Sequence, residues 1–127
     1  MTFDQYREFT GRTSVYLGAG TGHPCAVLYA IMGLADEAGE TLGKAKKAIR
    51  GDNSPAEDGE VSRRVLRGLE GLRGSEALKA EVGDVLFYFT RILIENGWTL
   101  EEIMEANVKK LTGRLEAGTI KGSGDNR

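Results

Sequence analysis

The stretch Val82–Ile94, VGDVLFYFTRILI, decides the fold. It is mainly apolar and lacks the alternation of a half-exposed strand. Ser75 stands before it as an N-cap residue, and Gly97 follows it as a left-handed C-cap. The spacing predicts one long helix over 75–96, apolar on nearly every face and therefore buried on most sides. Downstream, Thr99 and Glu102 form a capping box that opens a last helix, whose stripe is Leu100, Ile103, Met104, Asn107, Val108, Leu111 and Leu115. The tail from 117 to 127 has little to bury.

Upstream of that helix, Val61, Val65, Leu66, Leu69 and Leu72 are spaced for a small amphipathic helix, although Gly68 and Gly71 interrupt it. The turn-rich run GDNSPAEDGE (51–60) separates it from a long helix that starts at Pro24 and reaches Arg50. The apolar period of this long helix runs through Ala26, Leu28, Ile31, Leu34 and Leu42. A short helix over 2–13 begins with a capping box between Thr2 and Gln5. No segment sustains strand alternation, so the expected fold is all-α, a bundle of about four helices in a single domain over 1–127.

Of 127 residues, 17 are Lys or Arg and 19 Asp or Glu, a formal charge of -2 that argues against a general nucleic-acid binder. The single cysteine, Cys25, rules out an internal disulfide and suits a reducing cytoplasm. The longest mainly apolar stretch, Cys25–Ala35, falls well short of the roughly 20 residues that cross a bilayer, and the N-terminus MTFDQYREF is not a signal peptide. A cytoplasmic protein without a membrane anchor is expected. His23, leading into the long helix, and Trp98, after the Gly97 turn, read as structural residues.

The chemistry lies in carboxylates placed where they are costly. GLADEAGETLG (33–43) carries Asp36, Glu37 and Glu40, and KAEVGDVLFYF (79–89) carries Glu81 and Asp84. Residues three apart project from one helix face, so each helix aims a pair of carboxylates in one direction. Two such helices side by side bring four together, an arrangement that destabilises the fold unless cations neutralise it. All the clustered ligands are carboxylate oxygens, which suit Mg²⁺ or Mn²⁺. Zinc and di-iron sites lack the histidines they need. Lys44, Lys47 and Arg50 form a row beyond the first pair, and Asn107, Lys110 and Arg114 form a polar edge on the last helix. Cations beside a carboxylate-bound metal suit a polyphosphate.

These residues resemble the MazG-like all-α nucleoside triphosphate pyrophosphohydrolases. The resemblance rests on E-x-x-E at Glu37 and Glu40, E-x-x-D at Glu81 and Asp84, the segment EANVKKLTGR (105–114) and the tail GTIKGSGDNR (118–127), and it covers roughly 13–50 and 75–127. It implies Mg²⁺-dependent hydrolysis of a nucleoside triphosphate to monophosphate and pyrophosphate. Glu37, Glu40, Glu81 and Asp84 would then be metal ligands, and Asn107, Lys110 and Arg114 substrate contacts. It also implies a homo-oligomer, a dimer or tetramer with its site near a subunit interface. Glu37 or Asp36 would be the catalytic base. Two departures stand out: aspartate at position 36, where many members have glutamate, and a long 52–74 segment, read as an insert or lid. The alternatives are a pyrophosphohydrolase of a phosphoribosyl nucleotide or alarmone, and a non-enzymatic, metal-stabilised helical interaction module.

Overall fold

A computed structural model describes residues 1–50 and 61–119 of the chain, and those residues form five helices and no strand. They are α1 (Phe3–Thr13), α2 (Pro24–Arg50), α3 (Val61–Leu72), α4 (Glu76–Asn96) and α5 (Leu100–Glu116). The all-α expectation holds, with the short α1 and α3 raising the count above four. Within the 52–74 insert, Val61–Leu72 is thus helical, while 51–60 and 120–127 lie outside the described residues.

Each boundary follows from local chemistry. Thr2 Oγ1 accepts from Gln5 N–H at 3.2 Å while Gln5 Oε1 accepts from Thr2 N–H at 2.8 Å, so the two ends of the α1 capping box satisfy each other. Thr99 and Glu102 repeat the device at α5, with 2.7 and 3.1 Å bonds. Ser75 Oγ caps α4 by accepting from Leu78 N–H at 3.2 Å, and Gly97 closes that helix at φ 69°.

The domain is organised by an antiparallel seam between α2 and α4. Along α2, the residues at alternating four- and three-residue steps are Ala26, Ala30, Gly33, Glu37, Glu40 and Lys44, with Ala48 four further on. Along α4 they are Glu95, Arg91, Tyr88, Asp84, Glu81 and Ala77, in the reverse direction. Such a 4-3 rhythm is what two nearly aligned helices need to stay in register. The fully buried alanines Ala26 and Ala30 let the helices approach closely. At Gly33 the approach is closest: a Cβ there would overlap the Tyr88 ring. A second close approach joins α3 to α2, where a Cβ at Gly68 would overlap the Ala48 carbonyl. That pairing explains why a glycine stands in the middle of an amphipathic helix, against its propensity.

Burial corrects two readings. The buried apolar residues among those described are Ala26, Ala30, Ala48 and Leu93, so the inner face of α2 is its small-residue face. Leu28, Ile31 and Leu42, expected in the core stripe, are exposed. Helix α4 is not buried on most sides either: Val82 and Leu86 face outward, and several of its buried side chains are polar, namely Glu81, Thr90, Arg91 and Glu95. Both readings failed for one reason: hydrophobicity marks which residues seek burial, whereas helix spacing on close contact is set by the smallest side chains.

The polar end of the seam is a fully partnered cluster. Arg91 and Glu95, 1% and 4% exposed, meet through Nη2 and Oε1 at 2.7 Å. Glu95 also accepts from Tyr16 Oη at 2.8 Å, Gly20 N–H at 2.7 Å and Gly22 N–H at 3.2 Å, while Arg91 Nε donates to Tyr16 Oη at 2.9 Å. One carboxylate thereby ties the glycine-rich connection between α1 and α2 to α4. Burial pushes the Glu95 carboxyl upward, but the hydrogen bonds from Gly20, Tyr16, Arg91 and Gly22 outweigh it and hold the group below the usual 4.5.

A carboxyl whose pKa is lowered on folding adds stability above its unfolded value, and that stability disappears as pH falls through the lower folded value. Glu95→Gln leaves the Arg91 charge buried without its counter-ion, and urea unfolding at pH 7 should show a loss of about 3 kcal/mol. As pH drops below the ordinary carboxylate range the gap between wild type and variant should narrow. A gap unchanged across that range would mean that the Glu95 carboxylate does not hold this connection.

Candidate functional site

Further along the seam the small residues give way to acids. Glu37 and Glu40 on α2 and Glu81 on α4 each place a carboxylate oxygen so that all three lie within 4.8 Å of one another. Glu81 is buried, Glu37 half-buried and Glu40 exposed, so the cluster sits at the edge of the packed seam and opens to solvent. The reason is the shared 4-3 register: Glu37 and Glu40 are three apart on the face that carries Ala30 and Gly33, and Glu81 is the α4 residue that meets them.

Asp84, the fourth expected ligand, is exposed and stands outside that triad, yet close enough to act on Glu37. Partial burial raises the Glu37 carboxyl above 4.5, and the charges of Asp84, Glu40, Asp36 and Glu81 raise it further. Asp84 also faces Tyr6 of α1, whose phenol is raised first by burial and then by that charge.

The donor set fits a hard divalent cation: three oxygen ligands from two helices, mutually repelling, at an open edge. The cluster already attracts a cation of its own. Lys44, one turn beyond Glu40, places Nζ 2.7 Å from Glu81 Oε1, and that bond, with the charges of Glu81 and Glu40, raises the ammonium's pKa above its usual value. Lys44 and Lys47 also line a cavity of about 110 Å³ beneath α3, bounded by Gly68, Gly71, Ser75 and Ala77. Of the expected phosphate-binding cations, Lys44 is therefore beside the acids, and Lys47 shares a cavity with it.

The α5 residues are elsewhere. Helix α5 is not packed along any other helix among the described residues. Asn107, expected to need a buried hydrogen-bond partner, is solvent-exposed and shares a shallow depression with Ile103, Ala106 and Lys110 of its own helix. Arg114 is buried. Exposed on α5, Asn107 and Lys110 thus stand apart from the α2–α4 seam that holds the acidic triad.

Aromatic residues missed in the sequence border the acids. Tyr16 and Tyr29 stack with ring centroids 4.6 Å apart, and Tyr29 meets Tyr88 at 6.3 Å and 49°. Tyr29, Met32, Gly33, Ala35, Asp36 and Tyr88 line an open cleft of about 550 Å³. Asp36 therefore faces this cleft, next in sequence to Glu37 but around the helix from the triad. The available signal was Gly33 on an apolar helix face with Tyr29 one turn before it; in sequence, Tyr29 and Tyr88 are indistinguishable from core residues.

The chain is similar to the Gene 37 protein of Mycobacterium phage L5, at 34% identity over 128 residues that take in the whole of both chains, and it belongs to that protein's family. No protein-family model matches the chain, and no solved structure matches it. Among the described residues, no helix is long and apolar enough to cross a membrane.

Proposed function

We propose that this chain hydrolyses a nucleoside triphosphate to the monophosphate and pyrophosphate, using Mg²⁺ or Mn²⁺ held by Glu37, Glu40 and Glu81, with Asp84 in support. The observation that carries this reading is the convergence of three carboxylates from two helices at one open edge, between an aromatic cleft and a lysine-lined cavity. A triphosphate needs those three neighbours. A divalent cation there supplies charge neutralisation of phosphate oxygens and a more acidic bound water. The chain's own residues do the rest. Tyr29 and Tyr88 offer ring surface to a nucleobase or sugar. Lys44 and Lys47 neutralise the β- and γ-phosphates.

With Glu37 engaged in the triad, Asp36 at the cleft is the carboxylate left to accept the proton of the attacking water. The new bond runs from that water oxygen to the α-phosphorus, the α–β bridging oxygen leaves with pyrophosphate, and Asp36 holds the proton. The resemblance to MazG-like enzymes implies the same reaction, and shares with this reading Glu37, Glu40 and Glu81.

A second copy of the chain belongs to this reading. On α5 the apolar residues Met104, Val108, Leu111 and Leu115 repeat at 4-3-4 spacing, and all are exposed, Val108 at 62% and Leu115 at 68%. On α2 a second, outer stripe of Leu28, Ala35, Leu42 and Ile49 repeats every seven residues, with Leu42 70% exposed. Two heptad stripes that are exposed among the described residues, of which only four apolar ones are buried, call for helices to cover them, and another copy supplies both. In such an assembly Asn107 and Lys110 lie at the edge of the interface between copies.

Incubated with Mg²⁺ and the ribo- and deoxynucleoside triphosphates, the protein should release monophosphate and pyrophosphate from at least one of them. Glu40→Gln and Glu81→Gln should each lower turnover by at least about a hundredfold, the worth of a lost charge-stabilising group. Release of diphosphate and phosphate, or full turnover by either variant, would contradict the proposal. In solution, light scattering should give at least twice the mass of one chain, and Val108→Glu with Leu111→Glu should reduce it to one. A monomeric wild type would remove the second copy from the account.

A further inference from the structure

The triad is approached on one side by a side chain whose contact with Glu81 phosphate binding alone does not explain. Lys44 sits between two environments: its ammonium is 2.7 Å from Glu81 Oε1, and the residue also lines the cavity beneath α3 together with Lys47. Its position follows from the seam, since Lys44 continues the steps Glu37, Glu40 toward Ala48. A lysine this close to a carboxylate of the triad neutralises it as an external cation would, but with one charge instead of two. It also has somewhere to go. The 110 Å³ cavity lies on its far side, walled by Gly68 and Gly71 of α3 and by Ser75 at the start of α4. Gly68 seats α3 against the Ala48 carbonyl, Gly71 leaves open the space that a larger residue there would take, and Lys47 adds a second positive charge to a volume that suits a phosphate group.

We propose that Lys44 is a displaceable internal cation: it holds Glu81 in the metal-free protein, yields that carboxylate to an incoming divalent ion, and turns its ammonium to the cavity shared with Lys47, where it receives the terminal phosphates of the substrate. This deepens the metal-dependent reading above and rests on it. Its physical content is a coupling. The ion must displace an ion pair to bind, which weakens its affinity, and in doing so it frees the charge that the polyphosphate needs. Helix α3 then has a function in the reaction without touching the triad, because it walls the cavity into which Lys44 turns.

The test is calorimetric titration of the protein with Mn²⁺ alone, in the absence of nucleotide. Lys44→Met should bind Mn²⁺ about fivefold tighter than wild type, the worth of one partly exposed ion pair that no longer has to be broken. Lys44→Arg, which keeps the charge, should bind less tightly than Lys44→Met, and Lys47→Met, which removes a charge that does not engage Glu81, should bind like wild type. For nucleotide the sign reverses: Lys44→Met should raise KM about tenfold. Equal or weaker Mn²⁺ binding by Lys44→Met, with binding still lost in Glu40→Gln, would overturn the role of Lys44 and leave the metal centre standing. Tighter Mn²⁺ binding with an unchanged KM would overturn the phosphate half of the proposal. No saturable Mn²⁺ binding by folded wild-type protein would remove the metal centre and Lys44's role with it.

Discussion

Everything in this fold depends on how closely α2 and α4 can approach. Ala26, Ala30 and Gly33 set the distance, and Gly33 sets it most strictly because Tyr88 occupies the space a side chain would take. Once that register is set, the same 4-3 steps dictate what meets further along. Glu37 and Glu40 face Glu81, Lys44 reaches Glu81 from beyond, and at the other end Arg91 and Glu95 gather the glycine-rich connection. The seam therefore holds little of the large apolar surface that usually drives helix pairing. It is closed by small residues and by two polar clusters. The one at Glu95 is fully satisfied by partners of its own chain, whereas the one at Glu37 has three acids and one lysine.

That difference separates a structural cluster from a candidate reactive one. Around Glu95, hydrogen bonds overcome burial and hold the carboxyl ionised; around Glu37, burial and neighbouring charges act in the same direction and oppose ionisation. Carboxylates kept close together without enough positive charge are the condition under which a divalent ion binds with the greatest relief, and the proposed polyphosphate substrate would be drawn to that ion's charge. In the proposed reading, the aromatic cleft at Tyr29 and Tyr88 on one side and the lysine-lined cavity on the other would give the two ends of a nucleotide different surroundings.

Much of this was legible in the sequence, and the failures share a cause. Helix ends could be read because caps are local: Thr2 with Gln5, Ser75, Gly97, and Thr99 with Glu102 all act as their types suggest. The meeting of Glu37, Glu40 and Glu81 was legible because spacing on a helix is arithmetic. The inner face of α2 was misread because Leu28, Ile31 and Leu42 outrank Ala26 and Ala30 in hydrophobicity, while close helix contact favours the smaller pair. Glu95 and Arg91 were missed because their partners Tyr16, Gly20 and Gly22 lie more than 70 residues away along the chain, a distance no local pattern spans. Asn107 read as buried because its stripe is apolar, but that stripe faces outward in a single chain. The outward stripes on α2 and α5 are the features that led us to propose a second copy.

The most direct test of the central claim is anomalous diffraction from crystals grown with Mn²⁺ at the manganese edge. The account predicts a peak bonded to carboxylate oxygens of Glu37, Glu40 and Glu81, with the Lys44 ammonium withdrawn from Glu81. A well-ordered triad without a peak, or manganese bound only elsewhere on the chain, would contradict it.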